Sequence, residues 1–307
     1  MLSLLQASHT RPVDAVTAEV VVALRTAGVR PLVLKGPVFA RWLYGDGFIR
    51  GYVDSDILVA PDAVEASCEV LRSLGFTPLG EASYGTPKHA HCWARGGHGS
   101  EELDLHESIP GARADKSVVW AALSRDTDTM QIAGTEVEIP VPSANAMIAA
   151  LHAAAHGSSD GHYCEDLTRA LAAADERVWA RAAELAAEVG AEVWFATGLR
   201  TVPAGRAMAD RLGVRQPAPV DVLLRAGGAP DGAVFLGSLA TTDGWRARLR
   251  LLARAVVPEP HYMRDWYPGA RRGPAGLIAS YVARVFVRLA TVVPAVRAFA
   301  AARKRAA

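Results

Sequence analysis

The chain has 307 residues, half of them hydrophobic, with 33 Lys and Arg against 32 Asp and Glu; this composition supports a sizeable core and excludes a disordered tail. Its three cysteines, Cys68, Cys92 and Cys164, are widely spaced and form no CxxC pair, which argues against a disulfide framework or a cysteine zinc site and suits a reducing compartment. The net charge of +1 conceals a division: from Gly244 onward 13 basic residues face only Glu259 and Asp265, so this segment carries +11 and the first 243 residues −10.

The opening stretch MLSLLQASHTRPVDAV has no basic leader and is too briefly apolar for a signal peptide, so a cytoplasmic protein is expected. AVTAEVVVALRTAG spaces its apolar residues for a helix that Gly28 ends. PLVLK, residues 31–35, predicts a short strand, broken by Gly36-Pro37 before VFARWLYG resumes a helical pattern. YVDSDILVA predicts the next strand, Pro61-Asp62 opens a helix through Leu74, and Gly75 caps it. HCWAR, EELDLHE and TEVEIPV predict further strands separated by glycine-rich turns.

After Pro142 the pattern becomes helical. Ser143 is the expected N-cap of ANAMIAALHAAAH, Gly157 ends that helix, and alanine-rich helices follow. The fold class expected is therefore α+β: residues 1–141 form a mixed sheet with flanking helices, and residues 142–307 a mainly helical domain with a basic C-terminal region. The stretch 276–302 is strongly apolar, but Arg284 and Arg288 interrupt it and Pro294 kinks it, which predicts a packed amphipathic helix rather than a membrane span.

Within YVDSDILVA the strand period of two places Asp54 and Asp56 on one face and Ser55 on the other. Two neighbouring carboxylates repel unless a cation lies between them, and hard oxygen ligands suit Mg²⁺. Asp104, between two leucines of ELDLH, supplies a third acid from another strand. An isolated DxD is common in loops and strand ends, and Asp104 alone is an ordinary strand-edge carboxylate. The ordered set is more specific: a strand ending in Lys35-Gly36, a helix, a DxD strand and a later apolar-Asp-apolar strand, as in two-metal phosphoryl or nucleotidyl transfer.

The segment LVLKGPVFARWLYGDGFIRGYVDSDILVAPDAVEASCEVLRSLGF, continued by ELDLHESI, LHAAAHG and EDLTRAL, resembles the uncharacterised nucleotidyltransferase family of the polymerase-beta-like superfamily. Ser55 departs from the pattern, standing where the family carries an apolar residue between the acids. The resemblance implies transfer of a nucleoside monophosphate from a nucleoside triphosphate to an acceptor. It further implies that Asp54, Asp56 and Asp104 hold two Mg²⁺ ions, with Mn²⁺ as the alternative, and that Asp104 also helps deprotonate the acceptor hydroxyl. Lys35 and Arg50 would neutralise phosphates, and backbone N–H groups at Gly36 would cradle one. The other reading of Arg50 is a surface cation paired with Asp46.

The histidines have weaker signatures. His152 and His156 stand at zinc-ligand spacing, but no motif fixes a third ligand. Because a helical domain closes the cleft in related enzymes, His156 and Asp166 are expected at the nucleotide, and His106 and His152 at the acceptor. His89, His91 and His98 belong to a glycine-rich stretch that suits a loop rim. The acceptor expected is a small molecule or peptide, in keeping with relatives found beside peptide natural-product pathways. The basic C-terminal region suits an anionic surface, and its lack of interleaved aromatic and basic residues disfavours nucleic acid. Two other readings compete: a metal-dependent glycosyltransferase using a nucleotide sugar, whose DxD lacks the preceding Lys-Gly turn, and a non-catalytic nucleotide-binding module.

Overall fold

A computed structural model of the chain describes residues 2–45, 50–79, 89–96, 101–157, 161–214 and 218–306. Asp46 and, of the expected glycine-rich rim, residues 87–88 and 97–100 with His98 lie outside the described residues, whereas His89 and His91 lie within them. A long helix, α1 (Leu2–Thr26), leads into strand β1 (Leu32–Val33), helix α2 (Gly36–Leu43) and strand β2 (Asp54–Leu58). Helix α3 (Val64–Ser73) precedes strands β3 (Thr77–Pro78), β4 (Ala90–Arg95) and β5 (Glu101–His106). The strands form one mixed sheet in the order β1-β2-β5-β4-β3, with β2 and β5 parallel at its centre and the other pairs antiparallel.

The helix stops follow the sequence closely. After α1, Val29 N–H bonds to the Leu24 carbonyl and Gly28 N–H to that of Arg25, a Schellman closure that needs the positive φ of +79° at Gly28. Apolar residues Val16, Val20 and Leu24 make the buried face of α1 and cover one side of the sheet. On that side Ser55 is fully buried, and its Oγ lies 2.6 Å from Thr17 Oγ1. Since Thr17 donates its own proton to the Val13 carbonyl, Ser55 donates to Thr17. The polar residue between the two acids is thus accommodated by a hydroxyl partner on α1.

After helix α4 (Lys116–Ser124), strands β6 (Thr127–Ile132) and β7 (Thr135–Pro140) form a separate hairpin. Its two-residue turn places both Ala133 and Gly134 at positive φ, as a type I′ turn requires. Strand β6 escapes prediction because TDTMQI has no clean apolar alternation. Helix α5 (Pro142–His156) starts two residues earlier than expected: Val141 occupies the N-cap and Pro142 the first turn, so Ser143 lies inside the helix. Helices α6 (Gly161–Ala173), α7 (Glu176–Glu188) and α8 (Glu192–Leu199) pack around it, and α9 (Pro203–Arg211) packs on α6 and α8. One hydrophobic cluster runs from Val16 to Val222, across the junction of strands and helices, while two small clusters serve the remaining C-terminal helices.

Those helices are α10 (Val220–Ala226), α11 (Asp231–Thr241), α12 (Trp245–Val256), α13 (Pro260–Trp266), α14 (Gly273–Ala290) and α15 (Val292–Ala306). The single packed helix expected over 276–302 is instead two, α14 and α15, meeting at 47°. Pro294 accounts for the break, because in a continuous helix its ring would clash with the Ala290 carbonyl. Much of the apolar surface of the pair is exposed rather than packed. Among the described residues no single helix is long and apolar enough to cross a membrane.

The Thr17–Ser55 contact yields a test. Thr17→Val or Ser55→Ala alone should cost about 1–3 kcal/mol, because a buried hydroxyl loses its partner. The double variant should cost less than the sum, as read from urea unfolding. Strict additivity would show that the two hydroxyls do not interact.

Candidate active site

The site is built on the other face of the central strand pair. In the parallel register Asp54 lies beside Glu102, Asp56 beside Asp104, and Leu58 beside His106, so alternation sends four carboxylates and an imidazole to the same side. The antiparallel neighbour β4 adds Cys92 opposite Asp104. The DxD pair and Asp104 therefore come together as the strand period requires. Glu102 has the same parity as Asp104 and could have been named from ELDLH by that rule alone.

Lys35 reaches this face from the turn between β1 and α2. Its backbone adopts φ +35°, a left-handed conformation that costs a non-glycine residue on the order of 1–3 kcal/mol. Its Nζ lies 2.5 Å from Asp56 Oδ1 and 3.2 Å from His152 Nε2. Gly36 serves a different need: a Cβ there would stand 3.3 Å from the Tyr52 ring. The turn thus needs glycine for close approach at 36, while Lys35 carries the unusual φ.

Asp56 is the centre of the cluster, only 3% exposed, and the same Oδ1 also lies 2.8 Å from His106 Nε2. Burial alone would push its carboxyl upward, but Lys35 and His106 overcome this and hold it well below the usual carboxylate range. Burial also acts against the Lys35 charge; Asp56, with Asp54 and Asp104 behind it, overcomes this and raises the ammonium pKa. For Asp54, burial and repulsion are offset only in part by the Lys35 charge. Burial first, then the nearby Asp56 charge, pushes it up to about 7.

Ligand atoms of Asp56, Asp104 and His106 lie within 4.8 Å of one another. That is the convergent set among the described residues, so His106 joins two of the expected acids while Asp54 stands outside the triad. His106 is 1% exposed and sits against Asp56. The donor set fits a divalent cation: the carboxylates are hard ligands, imidazole is compatible with Mn²⁺, and three carboxyl groups here face one ammonium.

Arg50 is buried, not a surface cation. Its Nε and Nη2 donate to both oxygens of Asp166 at 2.8–3.1 Å, while Tyr44 Oη donates to Asp166 Oδ1 at 2.7 Å. The Asp166 carboxylate, only 2% exposed, is thereby engaged in holding Arg50. The Nη1 edge of Arg50 is turned toward Gly36, with its carbonyl at 3.4 Å. A cleft of about 180 Å³ is lined by Lys35, Gly36, Arg50, Asp54, Asp56 and His152, joined by Tyr52, His162 and Tyr163. His156 is exposed and stacks on Tyr163 with ring centroids 4.3 Å apart. His152 is driven well below its ordinary pKa by burial and by the Lys35 charge. His89 falls to about 4, chiefly through burial.

A mixed sheet with an acid pair on a central strand, a third acid on the parallel neighbour and a Lys-Gly turn beside them defines a nucleotidyltransferase type of site. The chain belongs to the uncharacterised nucleotidyltransferase family, whose profile matches residues 5–204; it is a transferase of that class. Among solved structures it is similar to the antibiotic-resistance factor ANT(2'')-Ia in solution, with 16% identity and a TM-score of 0.41 over 56% of this chain and 90% of that one. The crystal structure of ANT(2")-Ia in complex with adenylyl-2"-tobramycin gives 16% identity and 0.40 over 57% and 97%. A nucleotidyltransferase-like antigenic protein from Paracoccidioides brasiliensis gives 13% and 0.34 over 60% and 93%. No curated protein matches the sequence.

The two DxD acids should behave oppositely. Asp56→Asn leaves the buried Lys35 without its counter-charge and should destabilise the protein by about 3–5 kcal/mol. Asp54→Asn removes repulsion and should be neutral or stabilising. Because the folded Asp54 carboxyl titrates at about 7 instead of the ordinary 3.8, the folded state binds more protons between those values and loses stability as pH rises through them. Thermal melts without metal should show that this loss is smaller in Asp54→Asn. Equal pH profiles would contradict the assignment.

Proposed function

We propose that the protein moves a nucleoside monophosphate from a nucleoside triphosphate to a hydroxyl or phosphate of a small-molecule or peptide acceptor, with Mg²⁺ or Mn²⁺ as the metal. The observation that carries this reading is the register pair Asp56–Asp104, with the Lys35 ammonium on Asp56 and with Asp54, Asp56 and Lys35 lining a cleft beside it. Asp56 and Asp104, with His106, would hold one cation, and Asp54 would share a second with Asp56. A divalent cation held there would supply positive charge to stabilise the departing pyrophosphate.

The chain's own groups supply the rest. Lys35 presents a point charge to the phosphates, released in part from Asp56 when other positive charge enters the cluster. Arg50, fixed by Asp166 and Tyr44, offers its Nη1 edge to the same phosphates. The N–H groups opening α2 at Gly36 point positive potential at them. Asp104 accepts the proton of the attacking hydroxyl. At the rim the stacked His156 and Tyr163 give an aromatic surface for the base, and His152 faces the acceptor. Asp166 acts by positioning Arg50. The acceptor's peptide character and a role in natural-product biosynthesis rest on the kinship stated for the sequence.

Incubation with Mg²⁺ or Mn²⁺, each labelled triphosphate and candidate acceptors should give metal-dependent labelling with release of pyrophosphate. Asp104→Asn should lower turnover by at least 10²-fold, in line with loss of a charge-stabilising group. Lys35→Met should reduce it comparably. Asp166→Asn should weaken nucleotide binding together with stability, since it frees Arg50. Full turnover in Asp104→Asn would overturn the reading, as would metal-independent transfer.

A further inference from the structure

Helix α14 presents its larger apolar side chains to solvent and two polar ones to the protein, the reverse of a water-facing helix, and α12 and α15 expose apolar stripes beside it. In α14, Ser280 and Arg284 are buried, Arg284 donating to the Tyr267 hydroxyl, while Ile278, Val282, Phe286 and Leu289 face outward and Phe286 is 67% exposed. In α12 an outward stripe recurs at helical spacing through Trp245, Leu249, Leu252 and Val256, with Trp245 70% exposed. These surfaces are continuous. Leu252 and Val256 of α12, Val285 and Leu289 of α14, and Val292 and Val296 of α15 line one apolar hollow of about 300 Å³.

The charge around this face is predominantly positive, Asp231 being the acid at the hollow. Arg246, Arg248 and Arg250 are exposed on α12, Arg297, Arg303 and Lys304 on α15, and the whole segment from Gly244 carries two acids against 13 basic residues. A large apolar patch in such a setting marks an interaction surface. A second copy of the same face is a poor occupant, because a two-fold contact would bring two arginine-rich rims together. The face spreads over three helices, α14 and α15 bent by 47°, so it suits a broad apolar plane rather than one inserted peptide. The region also lies wholly beyond residue 204, where the family match ends.

We propose that α12, α14 and α15 dock this protein on an anionic lipid bilayer. The apolar side chains enter the headgroup boundary, the arginines pair with lipid phosphates, and Trp245 sits at the interface. Arg284, bonded to Tyr267, keeps α14 attached to the protein, so the helices lie on the membrane and do not span it.

The test is flotation of the full chain with vesicles of equal parts phosphatidylcholine and phosphatidylglycerol, against vesicles of phosphatidylcholine alone. The protein should float with the first and stay behind with the second, and the difference should shrink as salt shortens the screening length to about 10 Å at 0.1 M. Arg246→Gln with Arg248→Gln should weaken partition roughly thirtyfold, at about 1 kcal/mol per charge. Phe286→Ser with Leu289→Ser should abolish flotation although every charge remains. Melting temperatures control for folding, and the wild-type result stands alone if a variant fails to fold. Failure to float with the anionic vesicles overturns the proposal, as does equal flotation with both compositions. Unchanged flotation of Phe286→Ser/Leu289→Ser overturns the apolar contact, and dimerisation lost in that variant, without vesicle binding, assigns the face to a second copy. Nucleotidyl transfer is assayed separately, so the two readings fail independently.

Discussion

Lys35 and Asp56 meet at 2.5 Å inside the protein, and much of the surrounding structure is arranged around that contact. A buried ion pair contributes little net stability, since desolvation offsets attraction; breaking one side of it is what costs. The pair here is also tied to a left-handed Lys35 backbone and to two further acids, so the site as a whole is a destabilising element. The continuous core on both sides of it, from Val16 through Val222, is what holds such an arrangement in place.

The helices contribute more than cover. Asp166 of α6 fixes the Arg50 fork, and His152 of α5 contacts the Lys35 ammonium. Two of the cationic groups at the cleft are therefore set by residues more than a hundred positions away in the chain. Any motion of α5 and α6 relative to the sheet would alter charge at the cleft directly. The Gly157 turn ties the end of α5 to α10, its backbone packing so closely there that a Cβ would come within 2.4 Å of the Arg225 carbonyl.

What was legible in the sequence was local. The strand period puts Asp54 and Asp56 on one face, the apolar flanks of Asp104 place it on a strand, and Gly28 and Gly75 end helices through their permitted φ. Long-range pairings carry no such local mark. Nothing between residues 50 and 166 announces that Arg50 will be held by Asp166, and the spacing of Asp104 and His106 shows a shared face but not that the imidazole turns onto Asp56. The expected N-cap at Ser143 failed because Pro142 starts the helix by itself. The apolar stretch 276–302 misled in a different way: periodicity gives the angular position of an apolar stripe, but whether that stripe faces protein or solvent is settled only by the neighbours.

The central claim is that the face bearing Asp56 and Asp104 holds a divalent cation. Electron paramagnetic resonance titration of Mn²⁺ measures it most directly, because the signal of the free ion is lost on binding. The wild-type protein with a non-hydrolysable triphosphate should remove Mn²⁺ from solution at a defined stoichiometry, and Asp104→Asn, with its fold intact by melting temperature, should bind at least one fewer ion. Equal Mn²⁺ uptake by the two proteins would contradict the account.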